Sequence, residues 1–290
     1  MSSLNEIRKR INAVNNTSKI TQAMKLVATA KVARQKADYL KISNYISGLY
    51  DLLIQLTRST TYSSIFISKR DANKNLHIVI SSTLGLCGSY NINVCKHLIN
   101  NLGPNDDIIV IGNKASSYLQ SRGLKERIIA KYQFNDKFAS HIELLPLTSY
   151  IIDNFISIKY DKVFLSYTKY MNSLNFVPTT LQLLPLDFKL FKPDEKNINY
   201  EINELNDNKQ IIDFIPNHHG IIESLIPFFT SSMIIASLTE SHLCEFSSRR
   251  NAMDSATENA KELIENLKLE YNQVRQEKIT QEINEIVAGS

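Results

Sequence analysis

The sequence is short of the residues that punctuate or staple a chain: its 290 residues hold three cysteines, eight glycines and seven prolines. Cys87, Cys95 and Cys244 form no CxxC pair and leave an odd count, which excludes a disulfide framework and a cysteine zinc site and points to a reduced, intracellular chain. No stretch approaches the roughly eighteen uninterrupted apolar residues that a membrane-crossing helix needs. Met1 leads almost directly into a helical pattern with no apolar signal core, so neither secretion nor membrane insertion is expected. Catalytic groupings are missing as well. His77, His97, His141, His218, His219 and His242 show no HExxH spacing and no acid at ligand spacing, and no Ser/His/Asp set stands out among the many serines. Neither a metal nor a cofactor is expected. An apolar content of 43% and a net charge of only +4 exclude wholesale disorder.

What the chain does have is two long stretches without helix breakers. The first glycine is Gly48 and the first proline Pro104. From Leu4, residues Ile7, Ile11, Val14, Ser18 and Thr21 follow at alternating steps of three and four, and the pattern continues less regularly through Met24, Ala28 and Val32 to Leu40. That is the seam of a helix wound left-handedly around a partner. At the other end, Met253, Ala256, Ala260, Leu263, Leu267 and Val274 repeat it, with no glycine or proline from Asn251 until Gly289. A helix of about 38 residues, at roughly 1.5 Å each, is longer than a compact domain is wide and needs a second helix beside it. The two read as an antiparallel pair with a domain inserted between them, and small residues (Ala23, Ala28, Ala30, Ala33; Ala252, Ala256, Ala260) allow close approach. Charge agrees: residues 1 to 60 hold ten Lys or Arg against three acids, whereas residues 221 to 290 hold six against eleven. A nucleic-acid arm is the competing account of the basic helix. Its bases are spread out and no aromatic precedes Tyr39, which makes a poor stacking surface, so no nucleic acid is expected.

Between the helices the period changes. The polar run RSTTYSS ends the first helix near Arg58. Strands are predicted at Leu76 to Ser81, Asp106 to Gly112, Lys162 to Tyr167 and Thr180 to Leu184, and helices at Ile92 to Asn101, Lys114 to Arg122 and Tyr150 to Ser157. This alternation predicts an α/β fold: a Rossmann-like domain with a largely parallel sheet, inserted in a long antiparallel coiled coil of the N- and C-terminal helices. The boundaries are 1–60, 70–215 and 216–290, the last helix starting near Ile221 with Pro227 either inside it or separating a short helix from the main one. Gly85 and Gly88 invite a nucleotide-binding reading, but two glycines without a GxxxxGK[ST] loop fit a sharp strand-to-helix turn better. One oddity remains at the far end, where Ile279, Ile283, Ile286 and Val287 bring large apolar residues back to the tip of a projecting helix and ask for a socket.

Three segments carry a resemblance. IRKRINAVNNTSKITQAMKLVATAKV, notably Ile7-Arg8, Asn16-Thr17, Lys19-Ile20-Thr21 and Ala23-Met24, then GLCGSYN from Gly85, then AMDSATENA with LEYNQVRQEKITQEINEIVAG, resemble in order the gamma subunits of F-type ATP synthases, the central rotating stalk. The resemblance covers essentially the whole chain. Ser89-Tyr90, Phe246, Arg250 and Ser290 depart from the family pattern, and residues 191–217 match weakly. The resemblance implies a rotor shaft with no catalytic residues of its own, carrying torque between an ion-driven ring of c subunits and a hexamer of three alpha and three beta subunits, with epsilon as a further partner and protons or sodium ions as the drive. It implies a peripheral protein on the cytoplasmic side of the inner membrane, of bacterial type. Ile279, Ile283 and Ile286 would sit in the apolar sleeve of the hexamer. Arg275, Gln276, Thr280 and Glu282 would meet beta-subunit loops, Met24 and Lys25 an acidic beta-subunit lever, and Arg249 matches a further family position. A coiled-coil scaffold without motor function and a small-molecule enzyme on the α/β domain are the alternatives.

Overall fold

Runs such as LHIVI and DIIVI lack the apolar–polar alternation of a half-solvated strand, as befits strands covered on both faces. A computed structural model describes residues 4–58, 65–67, 74–134, 140–186 and 218–289. Strands β1 (Asn75–Ile80), β2 (Asp107–Ile111), β3 (Ile128–Tyr132), β4 (Lys162–Tyr170) and β5 (Phe176–Leu184) form one sheet in the order β3-β2-β1-β4-β5. The first four are parallel, and β5 closes the edge as an antiparallel hairpin with β4. The predicted α/β domain with a largely parallel sheet is therefore present. Two long helices complete the chain, α1 (Leu4–Arg58, 55 residues) and the last, α5 (His218–Ala288, 71 residues); α2 (Tyr90–Asn100), α3 (Asn113–Ser121) and α4 (His141–Ile156) lie between them.

The chain divides into two compact units. One comprises Met1–Val32, Leu86–Gly88 and Phe246–Ser290, the other Ala33–Gly85 and Ser89–Glu245. In the larger unit the sheet has a core on each face. Val79, Ile108 and Val110 turn toward Val94 and Leu98 of α2 and Leu119 of α3. Their strand neighbours Ile78, Ile80, Ile109 and Ile111 turn the other way, into a cluster with Leu49 and Leu53 of α1, Leu147 and Phe155 of α4, and Ile226 and Ile234 of α5. Period-two side-chain geometry thus joins the ends of the chain to the sheet.

Several boundaries differ from the sequence reading. Strand β3 was not expected: its half-exposed IIAKY sits at a sheet edge and carries a weak apolar signal. Helix α4 starts at His141 rather than Tyr150, because Ser140 and Glu143 form a reciprocal capping box that outweighs Pro146 in the second turn. Pro227 lies inside α5 and does not divide it. In GLCG the left-handed residues are Leu86 (φ 63°) and Gly88 (φ 58°), not Gly85.

Candidate functional site

In the smaller unit α1 and α5 pair along a heptad seam. On α1 the positions Ile7, Ile11, Val14, Ser18, Thr21, Lys25, Ala28 and Val32 are covered and follow an alternation of four and three, with Met24 and Lys31 half-buried beside them. It stays regular further along α1 through Gln35, Tyr39, Ile42, Ile46, Leu49 and Leu53, so Tyr39 takes the slot expected for Leu40, while Met24 and Lys25 are both half-buried at the seam. Leu40 is exposed, as are Ala23, Ala30 and Ala33. Three interhelical contacts fix the direction. Thr21 Oγ1 lies 2.7 Å from Thr257 Oγ1, Lys25 Nζ donates to Asp254 Oδ1 at 2.5 Å, and the Lys31 ammonium stands 4.7 Å from the Phe246 ring centre. Numbers fall on α5 as they rise on α1, so the pair is antiparallel.

The α5 side of the seam is Met253, Thr257, Ala260, Ile264, Leu267, Tyr271 and Val274. The sequence reading put Ala256 and Leu263 where Thr257 and Ile264 are. Both versions share every second position, and apolarity favours alanine over threonine for the rest. Thr257 is nevertheless buried, because Thr21 offers a hydroxyl across the seam and the Met253 carbonyl accepts at 2.7 Å. Extending the register places Val14 opposite Ile264. Oxidation of a Val14→Cys/Ile264→Cys variant is expected to close a disulfide within the chain, whereas Val14→Cys/Leu263→Cys should give little, as checked by mobility on non-reducing gels.

A polar layer in an apolar seam costs stability. Thr21 also contacts the Ser18 carbonyl at 3.0 Å, so neither hydroxyl is an orphan. Replacing both threonines by valine removes both hydroxyls together and is expected to be neutral or stabilising by up to about 1 kcal/mol, whereas either single change loses the bond across the seam while the remaining hydroxyl keeps its own helix carbonyl, and should lower the melting temperature only slightly. Thermal unfolding of the three variants checks this.

The residues singled out by resemblance fall into three settings. Met24 and Lys25 are half-buried neighbours on α1, and the Lys25 charge is already engaged by Asp254. Arg249 is buried, its guanidinium 5.5 Å from the Phe246 ring centre, which gives it a packing role within the chain. Arg275, Gln276, Ile279, Thr280, Glu282, Ile283 and Ile286 all lie on the last turns of α5, where residues 275–288 are exposed without exception. Beyond Val274 the seam slots become polar, at Lys278, Gln281 and Glu285, and Gln281 Nε2 donates to Glu285 Oε1 at 2.9 Å. Ile279, Ile283 and Ile286 form a stripe one residue around the helix from those slots. It faces away from where α1 would lie. Thr280 donates back to the Gln276 carbonyl (2.9 Å), and the Lys278–Glu282 pair is loose at 4.0 Å.

The larger unit holds one arrangement that looks catalytic. His77 Nε2 is 3.1 Å from Asp106 Oδ2, although the sequence offered that histidine no acid at short spacing. The pair is 1% and 3% exposed, and His77 stacks on Phe164, so no substrate reaches it. It is a structural clamp: Asp106 also accepts from the backbone N–H groups of Asn75 (2.9 Å) and Gly103 (2.7 Å). A histidine inside an apolar strand run was the available signal. Burial pushes the Cys95 thiol up to about 12 and raises Cys244 as well, which leaves neither a nucleophile at neutral pH. Gly112 (φ 89°) belongs to packing, not to a phosphate nest, since a Cβ there would lie 2.2 Å from the Ser81 carbonyl oxygen. Among the described residues no group of His, Cys, Asp and Glu is placed to hold a metal ion, and no helix is long and apolar enough to cross a membrane.

Comparison with known proteins gives one answer along the whole length. A family model described as ATP synthase matches residues 3–290. The ATP synthase gamma chain of Malacoplasma penetrans is 39% identical over 299 residues, covering 100% of this chain and 99% of the relative. That of Mycoplasmoides gallisepticum is 37% identical over 293 residues, with the same coverage. Among solved structures, a chain of the Euglena gracilis mitochondrial ATP synthase rotor has a TM-score of 0.65 at 16% identity, covering 95% of this chain and 98% of that one. A chain of the Tetrahymena thermophila ATP synthase central stalk and c-ring has a TM-score of 0.57 at 21% identity, covering 82% and 99%.

Proposed function

The chain belongs to the ATP synthase gamma-chain family, and from that premise we propose that it is the central rotor shaft of an F-type ATP synthase. One observation carries the mechanical reading. Two helices share an antiparallel seam through Thr21–Thr257 and Lys25–Asp254, and α5 then runs on past Val274 with an exposed isoleucine stripe. A packed pair resists twisting and bending more than one helix does, because deforming it must break a continuous apolar seam. An unaccompanied apolar tip suits a bearing that covers it.

In this reading Ile279, Ile283 and Ile286 seat in an apolar sleeve made by three alpha and three beta subunits. Arg275, Gln276, Thr280 and Glu282 supply polar contacts there. Met24 and Lys25 pass an acidic loop of a beta subunit, and the bridge to Asp254 limits how strongly Lys25 holds on, which lets the rotor leave each angular position. Arg249, buried over Phe246, supports the pair at its base. The three segments 1–60, 70–215 and 216–290 divide the work into two shaft helices and a body that meets the ring of c subunits and the epsilon subunit. The protein is then peripheral to the membrane, on its cytoplasmic side, held there through the ring. Ion movement drives the ring, and the asymmetry of the shaft sets the catalytic sites of its partners into different states.

The chain itself performs no chemistry in this account. Titration calorimetry of the isolated chain with ATP is expected to show no micromolar binding, and no phosphate release should be detected. Combined with alpha and beta subunits, the chain should support ATP-driven rotation of a probe attached to its body. A hydrolysing complex in which the probe stays still would overturn the shaft reading.

A further inference from the structure

Strand β4 outruns its neighbour. Its last pair with β1 is Val79–Ser166, yet β4 continues to Tyr170, and β5 follows it along the other edge to the end. Among the described residues no strand lies beside the β1-side edge from Tyr167 onward. Such an edge presents unpaired N–H and C=O groups, and Thr168 and Tyr170, two residues apart, present theirs on the same side.

One turn of α5 takes that edge instead. The Tyr170 backbone N–H donates to Glu240 Oε1 at 2.9 Å, and Cys244 Sγ donates to the Thr168 carbonyl at 3.4 Å. Glu240 and Cys244 stand four residues apart on one face of the helix, so an acceptor and a donor there meet the donor and the acceptor of the strand. Burial, with the Glu240 charge added to it, raises the Cys244 thiol, which keeps Sγ a donor at neutral pH. Between the two, the Ser241 carbonyl accepts from Tyr90 Oη at 3.2 Å, and Tyr90 opens α2 beyond the carboxyl end of β1. Glu240, Ser241 and Cys244 are all buried.

The place matters. The sheet grows outward from β1 through β2 to β3, and the chain then returns to β4 on the other side of β1. In open α/β sheets ligands bind outside the carboxyl ends of the strands where the order reverses. Here that position holds a turn of the chain's own last helix.

We propose that Glu240, assisted by Cys244 and Tyr90, is a positioning residue for rotary coupling: it fastens α5 to the carboxyl end of the sheet, so that turning the body turns the shaft helix at this point. Apolar packing is non-directional and lets a helix slide or roll against a sheet, whereas hydrogen bonds to two backbone groups fix its height and its rotation together. The inference rests on the shaft reading and names where load enters α5.

Glu240→Ala, Glu240→Gln and Tyr90→Phe in the assembled, membrane-bound complex test it. Hydrogen exchange at the Tyr170 amide should quicken at least about tenfold in Glu240→Ala, where a bond to a charged acceptor is lost, and far less in Glu240→Gln, which keeps an acceptor oxygen. At equal assembly, ATP-driven ion pumping per ATP hydrolysed should fall several-fold in Glu240→Ala and recover in Glu240→Gln. A role confined to stability lowers pumping and hydrolysis together through the amount of complex, and that result overturns the inference. So does unaltered exchange at Tyr170, or an unaltered pumping ratio, in Glu240→Ala. If that variant does not assemble, Tyr90→Phe decides, since it removes one hydroxyl and keeps the ring: a lowered ratio supports the fastening and an unaltered one overturns it. An unsubstituted complex that hydrolyses ATP and pumps nothing overturns the shaft reading as well.

Discussion

Asp106→Ala is expected to destabilise the α/β unit by about 3–5 kcal/mol, since three buried groups lose their common acceptor at about 1–3 kcal/mol each. The substitution strands the backbone N–H groups of Asn75 and Gly103 and the Nε2 of His77, all of which converge on this carboxylate. His77 Nδ1 already lacks a hydrogen-bond partner, so losing the Nε2 contact leaves the whole ring unsatisfied in an apolar setting. Asp106→Asn retains an acceptor and should cost much less. Urea unfolding monitored by circular dichroism separates the two, and a loss for Asp106→Ala under about 1 kcal/mol would show that the unit repacks around the gap.

The same pair makes this unit acid-sensitive. Burial raises the Asp106 carboxyl, but the N–H groups of Asn75 and Gly103, the His77 ring and the Asn75 side chain together hold it below its ordinary value. Burial is the largest influence on His77 and lowers it, the facing Asp106 raises it through charge and hydrogen bond, the Arg127 guanidinium lowers it, and the net shift is downward. Both groups thus bind protons more weakly when folded than when unfolded. The stability they contribute is complete above the ordinary histidine value of 6.5 and is lost as pH falls, first through the His77 step and then through the Asp106 step. Melting temperature should decline from pH 7 to 5, and the Asp106→Asn variant should lack the further loss on the carboxylate side, near about pH 4 and below.

The second large effect is expected at the tip and only in the complex. Ile279, Ile283 and Ile286 are 46%, 54% and 73% exposed, so docking buries roughly half of each side chain or more. Full burial of one isoleucine is worth about 1.5–3 kcal/mol, which puts the three together at about 3 kcal/mol. Changing all three to alanine should leave the melting temperature of the isolated chain unchanged or slightly raised, since alanine favours helix. Dissociation of the complex with alpha and beta subunits should become roughly a hundredfold easier. An unchanged dissociation constant would mean that the stripe is not covered. A lower melting temperature in the isolated chain would mean that it packs within the chain instead.

How far the sequence was legible differs between these regions. The two long helices could be read because a 3-4 apolar repeat without glycine or proline admits few other structures, and the apolar tip could be read because large apolar residues return there at the end of a projecting helix. Chain order brought the same certainty to β1 and β2, whose unbroken apolar runs suit strands covered on both faces. Strand β3 escaped because an edge strand needs little apolar surface, and the start of α4 escaped because Pro146 masked the Ser140–Glu143 box.

The residues of the seam were a different matter. Local periodicity allowed Ala256 and Leu263 as well as Thr257 and Ile264, and hydropathy pointed to the wrong set. Burying Thr257 depends on a hydroxyl that Thr21 brings from the other end of the chain. Likewise His77 has no acid near it in sequence, and its partner arrives only when β2 lines up beside β1. Periodicity is a property of neighbours along the chain, so the sequence by itself determined which segments are helices, which are buried strands and where an uncovered apolar tip remains. Whether a polar group can be buried depends on what lies across from it in space, so only the tertiary structure decided the Thr21–Thr257 layer, the Lys25–Asp254 bridge and the His77–Asp106 clamp.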